Sequence, residues 1–379
     1  MTRIPKHITE KLNQRKEKNA LRTLKVNHFE VDFYSNDYLG FASSIEIKQL
    51  TQEILSKYPL QHGATGSRLI SGHTPLHEIA ENTISEFCHS HSCLLFNSGY
   101  DANVGVFSSI PKRGDIILFD EYIHASIRDG ISLSLAQAYK FKHNNLEDLE
   151  RLLQRYTNLS NSIFIATESV FSMDGDSPNL EKMVLLAEKY NAFLIVDEAH
   201  ALGVLGKNGC GLVQHLGLEN RVFVRIMTYG KALGGHGAGV LSSNEVKQYL
   251  VNFARSFIYT TAMPPHSVAH ILAGHQELSR TQNGKLLQKN IVFFLKKVEE
   301  LGLNSKFIPS KSAIQSIILS GNDFVKLISE EIQKEGFGVI PILSPTVAKG
   351  QERLRICLHS FNTFSEIENL CNILMNKLK

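Results

Sequence analysis

The chain has 379 residues, 43% of them hydrophobic and 20% charged, with a net charge of only +3. That length suits a large core and about two domains, the charge balance argues against a general nucleic-acid surface, and no apolar run approaches the roughly 18 residues a membrane span needs. The N-terminal "MTRIPKHITEKLNQRKEKNALRTL" is basic without an apolar centre, so it is not expected to act as a secretory signal. The five cysteines lack framework spacing and read as free thiols of a reducing cytoplasm.

In chain order, residues 1–30 read as an amphipathic helical arm, and "VDFYSNDYLG" as a short strand ending in a polar turn. "PLHEIAENTISEFC" carries apolar residues at helical spacing. Then come strand-length apolar runs, "SCLLFNSG", "DIILFDE", "SIFIATES", "AFLIVDEAH" and "RVFVRIMTYG", separated by helical stretches. Strands alternating with helices predict an α/β fold with a mostly parallel sheet covered on both faces. Ligands of such sheets bind beyond the carboxyl ends of the strands. Asn97–Gly99, Glu168–Ser169, Asp197–His200 and Thr228–Lys231 should all lie there. After "YTTAMPPHS" the pattern becomes helical, then gives short strands at "AIQSIILSG" and "RLRICLHS" and a last helix, which predicts a smaller α+β domain. The expected division is an arm at 1–45, a large domain at 46–265 and a small C-terminal domain at 266–379.

Two motifs mislead. "FLIVDEAH" resembles the Walker B strand of a helicase, but that role needs a phosphate loop of the form GxxxxGK[ST]. The Gly-Lys pairs at 206–207, 230–231 and 284–285 are followed by Asn208, Ala232 and Leu286, so none offers the hydroxyl for magnesium. "CHSHSC" holds Cys88, His89, His91 and Cys93, all possible zinc ligands, yet it is too short to close a tetrahedral site alone. A polar turn is the expectation there, and no metal is expected.

The chemistry concentrates in Asp197, His200 and Lys231. A carboxylate buried at a strand end needs a cationic partner, and a pyridinium nitrogen is one. A lysine desolvated among glycines, as in "MTYGKALGG", becomes a nucleophilic amine. Thr228, three residues earlier, offers a hydroxyl to a phosphate. Together these suit pyridoxal 5′-phosphate as the cofactor.

The stretches "SNDYLG", "HGATGSRLISG", "FNSGYDAN", "DEYIHASIRDG", "VFSMDGD", "VDEAHALGVLG", "TYGKALGG", "YTTAMPP" and "RLRICLHS", in this order, closely resemble the α-oxoamine synthases. These are pyridoxal-phosphate enzymes of fold type I, the aspartate-aminotransferase fold, and the resemblance runs from about residue 30 to 375. It implies that Lys231 binds the cofactor covalently and later moves the α-proton, while Asp197 partners the ring nitrogen. His200 and Ser172 match groups near the ring's phenolic oxygen, and His124 the imidazole stacked on its face. Gly99 and Tyr100 match phosphate-binding amides and Thr228 a phosphate hydroxyl. Thr260 and Thr261 match a stretch reaching the phosphate of a neighbouring subunit in a homodimer. Arg355 matches the guanidinium that takes the substrate carboxylate, and Asn36 a polar group near the substrate. Arg22 is a candidate for the distal carboxylate of the acyl chain.

The family pattern has serine before the lysine, where this chain has Gly230. Within the family the resemblance points to a decarboxylative condensation of L-alanine with a pimeloyl thioester, borne by CoA or a carrier protein. The alternatives are a glycine C-acetyltransferase-like or serine palmitoyltransferase-like member, or a silent binding subunit of the same fold, a class that usually lacks the lysine.

Overall fold

Short apolar runs that end in small or polar residues set the strands. The computed structural model describes residues 4–24, 26–58, 61–158 and 161–378. Its strands are β1 (Val31–Asp32), β2 (Ser92–Phe96), β3 (Ile116–Asp120), β4 (Gln137–Phe141), β5 (Ile163–Glu168), β6 (Phe193–Asp197), β7 (Val224–Thr228), β8 (Ala238–Ser242), β9 (Ile314–Ile318), β10 (Phe337–Gly338), β11 (Ile340–Ile342) and β12 (Arg353–Cys357). The chain forms two compact units. The larger holds Asn36–Ser172 and Asp176–Leu287; the smaller holds Met1–Ser35, Met173–Gly175 and Gln288–Lys379.

The larger unit carries a seven-stranded sheet in the order β2-β8-β7-β6-β5-β3-β4. Neighbours from β7 through β4 run parallel, and β8 alone is antiparallel to both of its neighbours. Alternation along the strands divides the core between the two faces. Ile195 of β6 packs with Ile117, Ala166 and Ile226 beneath helices Gly99–Ser109 and Ala125–Leu133. Its neighbours Leu194 and Val196 pack with Leu118, Ile165 and Met183 beneath helices Leu146–Tyr156 and Leu180–Lys189. This is the α/β architecture expected.

Two sheet strands gave little signal. β4 is an edge strand of mixed polarity, with only Phe141 buried. β8 is apolar and buried but follows directly on the glycine-rich turn after Lys231.

Residues 266–287 fall in the larger unit, because helix Pro265–Leu278 packs on helices Ile45–Ser56 and Pro75–Phe87. The first 35 residues belong with the smaller unit. There β1 pairs in parallel with β10, and Phe33 O accepts from Cys357 N at 2.8 Å. Helix Lys6–Glu17 buries none of its side chains. The smaller unit also contains the antiparallel sheet β11-β12-β9 with helices Asn322–Lys334 and Phe364–Leu378.

Ile195→Ala removes a fully enclosed side chain and is expected to lower unfolding free energy by about 2–5 kcal/mol. Leu185→Ala, on the exposed side of its helix, should stay within about 0.5 kcal/mol of wild type. Urea denaturation of both variants checks the difference.

Candidate active site

The carboxyl ends of the sheet strands bring most of the sequence candidates together. In register, Glu168 lies beside Asp197, Asp197 beside Ile226, and Thr228 beside Ala238, which pairs in turn with Phe96. The turns after these strands carry Asn97–Gly99, Ser172, His200 and Lys231 along one edge.

Asp197 is buried, and its carboxylate is fixed from two sides. Asn103 Nδ2 donates to Oδ2 at 2.8 Å, and Ala199 N donates to Oδ1 at 2.9 Å. Asn103 Nδ2 also donates to Ser126 Oγ at 3.0 Å, and Ser126 Oγ lies 2.7 Å from His124 Nδ1. His124 caps helix Ala125–Leu133, with Nδ1 accepting from Ser126 N at 3.2 Å. Nδ1 therefore acts as acceptor, which leaves the ring proton on Nε2. Burial and the Lys231 charge hold the His124 pKa below the ordinary value, against the opposing pull of Asp197. The ring is neutral and aligned through Ser126 and Asn103 with Asp197.

Glu168 completes the cluster, and the sequence reading gave it no role. Its Oε1 accepts from His124 N at 2.6 Å. Burial first, then the Asp197 carboxylate, push its pKa well above the carboxylate range, with Lys231 pulling the other way. Both effects favour the protonated form of Glu168. Asn103 and Ser126 were missed too. Both lie within stretches that carry the resemblance, Asn103 in "FNSGYDAN" and Ser126 in "DEYIHASIRDG", but those stretches were read for Gly99, Tyr100 and His124 and not for these side chains.

His200 is buried, with Nδ1 2.7 Å from the Tyr38 hydroxyl, which also donates to Asn36 Oδ1 at 3.1 Å. Tyr38 lies within "SNDYLG", so the stretch was noticed and its hydroxyl was not. The second acid of "DEAH" has a separate task. Glu198 Oε1 accepts from Leu212 N and Val213 N, capping the short helix Leu212–His215.

Lys231 sits half-buried in a turn closed by Gly234 N donating to its carbonyl and Gly235 N to Tyr229 O. Gly234 has φ 61°, and a Cβ there would meet Ala42 N at 2.1 Å, so the turn depends on glycine. At Gly230 a Cβ would find only Gly235 O at 3.5 Å, leaving room for the serine of the family pattern.

Gly99 and Tyr100 open helix Gly99–Ser109, which Ser98 caps by accepting from Asp101 N at 3.0 Å. Their N–H groups precede the first intrahelical bond, from Ala102 N to Ser98 O. A Cβ on Gly99 would come within 2.6 Å of Thr228 Oγ1. The missing side chain makes a cradle of helix N-terminus and hydroxyl, which fits a phosphate. With a fixed carboxylate, a neutral imidazole and an amine beside it, the donor set fits pyridoxal phosphate. Thr260 and Thr261 are tied to β2's end, Asn97 Nδ2 donating to Thr260 Oγ1 at 3.1 Å and to Thr261 O at 2.8 Å.

Arg355 and Arg22 belong to the smaller unit. On β12, Arg353 forms a buried ion pair with Asp174, while Arg355 Nη1 lies 2.9 Å from Cys357 Sγ. Arg22 is exposed and donates to Thr346 Oγ1 at 2.9 Å. In "CHSHSC", Cys88 and Cys93 are buried and His89 and His91 exposed. Burial pushes the Cys88 thiol up to about 12, against the pull of Arg225.

The fold and this edge define a fold type I enzyme site. Residues 30–374 match the family model for aminotransferase class I and II, and the chain belongs to that family. It is 40% identical to the 8-amino-7-oxononanoate synthase of Emericella nidulans, covering 96% of this chain and 93% of the relative. It is 37% identical to a putative 8-amino-7-oxononanoate synthase of Aquifex aeolicus, covering 98% of each. The solved 8-amino-7-oxononanoate synthase of Francisella tularensis superposes with a TM-score of 0.76 at 32% identity, covering 92% of this chain and 97% of that one. A serine palmitoyltransferase from S. paucimobilis superposes with a TM-score of 0.88 at 24% identity, over 98% of this chain and 96% of that one, a likeness of fold.

In the cofactor-free protein, Lys231→Met removes a charge that depresses the His124 pKa, so the imidazole should titrate at higher pH than in wild type. NMR titration of the histidine ring resonances checks the direction.

Proposed function

We propose that the chain is a pyridoxal-phosphate-dependent acyltransferase that condenses L-alanine with a pimeloyl thioester, carried by CoA or a carrier protein, and releases carbon dioxide and 8-amino-7-oxononanoate for biotin biosynthesis. The observation that carries this reading is the single cluster of Lys231, Asp197, His124 and Glu168 at the sheet edge, in a chain 40% identical to an 8-amino-7-oxononanoate synthase.

Bound pyridoxal phosphate supplies an electron sink for the carbanion at the amino acid's Cα. Lys231 Nζ would hold the cofactor and, as a free amine, would take the Cα proton of the amino acid and later return one. Asp197, immobilised by Asn103 and Ala199, keeps a proton on the ring nitrogen. His124, the residue the resemblance assigns to the ring face, would add little competing positive charge there, because burial and Lys231 hold its pKa below the ordinary value. His200 and Ser172 orient the phenolic oxygen. Gly99 and Tyr100 amides and the Thr228 hydroxyl take the phosphate. Arg355, as the resemblance implies, would take the substrate carboxylate with its planar fork. Asn36 contacts the substrate, and Arg22 receives the distal carboxylate of the acyl chain.

The working unit is a homodimer, in which Thr260 and Thr261 reach the phosphate of the partner subunit. Exposed Leu69, Ile70 and Tyr259 support this. They lie within four residues in sequence of the contact in which Ala262 N donates to Gly66 O, and exposed large apolar side chains suit a covered surface. Five free cysteines suit the cytoplasm. Among the described residues no helix is long and apolar enough to cross a membrane.

Purified protein with alanine and pimeloyl-CoA should yield a product of the mass of 8-amino-7-oxononanoate, with glycine and serine poor substitutes. A preference for glycine or serine would assign another member of the α-oxoamine group. Lys231→Ala should abolish turnover and the visible absorbance of the lysine-linked cofactor; turnover by that variant would reject the mechanism. Arg355→Lys replaces a fork with a point charge and should raise KM for alanine about ten- to a hundred-fold.

A further inference from the structure

Three adjacent strands of the larger unit, β5, β3 and β4, end at one corner of the sheet. The turn after β3 carries His124, and the segment after β5 carries Ser172. The turn after β4 carries His143 and Asn144, which the proposed reaction does not use. His143 Nδ1 lies 2.9 Å from Asp120 Oδ1, at the end of β3, and Nε2 lies 2.8 Å from Asp176 Oδ2, beyond β5. An ionised carboxylate only accepts hydrogen bonds, so with both acids ionised both ring nitrogens carry protons and His143 is an imidazolium. Burial works against that charge, but the bonds to Asp120 and Asp176 overturn it and raise the pKa to about 9. Tyr122 stacks on the ring at 4.4 Å, and Phe171 meets it edge-on at 4.5 Å.

Each acid also shapes its own turn. Asp120 Oδ1 accepts from Tyr122 N at 2.8 Å, and Asp120 O accepts from Ile123 N at 3.2 Å, which sets the approach to His124. Asp176 O accepts from Phe171 N at 3.0 Å, closing the segment that contains Ser172. Asn144, held at φ 53°, repeats the bridge: its N donates to Asp120 Oδ2 at 2.8 Å and its Nδ2 to Asp176 Oδ2 at 2.6 Å.

We propose that His143 is a positioning residue, a doubly donating ring that clamps Asp120 to Asp176 and so fixes His124 and Ser172 against the cofactor ring. The proposal rests on the cofactor reading of those two residues, and it does not depend on which amino acid or thioester is the substrate.

The test titrates pyridoxal phosphate into cofactor-free wild type, His143→Asn and Leu149→Val. The last trims a fully buried contact on helix Leu146–Tyr156, close to His143 in sequence. His143→Asn should weaken cofactor binding at least about ten-fold and shift the absorption band of the bound cofactor, while Leu149→Val lowers the melting temperature and leaves affinity and band in place. Equal affinity and an unchanged band in His143→Asn, or the same losses in Leu149→Val, would overturn the clamp. If His143→Asn does not fold, Asp176→Asn keeps the side chain's shape while removing the carboxylate, and it carries the same expectation. A wild type that binds no cofactor overturns the cofactor reading and this inference together, whereas normal binding in both wild type and His143→Asn overturns this inference alone.

Discussion

The site depends on a carboxylate held away from water. Asp197 occupies the end of a central strand, and it is tolerated there because Asn103 and the Ala199 amide satisfy its oxygens. Those bonds also deny it the freedom to turn toward solvent or toward Lys231. Beside it in register stands a second carboxyl, Glu168. Two buried negative charges on neighbouring strands would repel each other strongly. Burial and the Asp197 charge raise the Glu168 pKa well above the carboxylate range, which favours a single negative charge in the cluster next to the lysine.

From that point the arrangement spreads by shared hydrogen bonds. One amide, Asn103 Nδ2, orients both Asp197, the acid assigned to the ring nitrogen, and, through Ser126, the imidazole assigned to the ring face. Glu168 closes the loop by accepting from the backbone N–H of that same histidine. Acid, imidazole and second carboxyl therefore cannot shift independently. Such preorganisation lets a site stabilise developing charge without first rearranging.

Much of this was legible in the chain because strand ends are chemically abrupt. "FLIVDEAH" and "VRIMTYGK" change from apolar to polar or reactive residues within a few positions, which places Asp197 and Lys231 at the sheet edge from the sequence alone. Asn103, Ser126 and Glu168 were harder to assign. Asn103 and Ser126 lie inside helices, where a polar residue looks the same whether it faces water or a buried acid. Glu168 was seen at a strand end, but its raised pKa comes from burial and a neighbouring strand that only the fold supplies. The domain limits were blurred for a similar reason. Helix Pro265–Leu278 follows the change of pattern in sequence, yet its packing partners are helices near residues 50 and 80. β4 was invisible because an edge strand need not alternate.

The open space beside the Gly230 α-carbon bears on what that position tolerates. A Cβ can be gained or lost at that position without moving the backbone of the turn, because its nearest neighbour would be Gly235 O at 3.5 Å, an ordinary contact. The choice of side chain at 230 is thereby uncoupled from the placement of Lys231 next door, whose turn is held instead by Gly234.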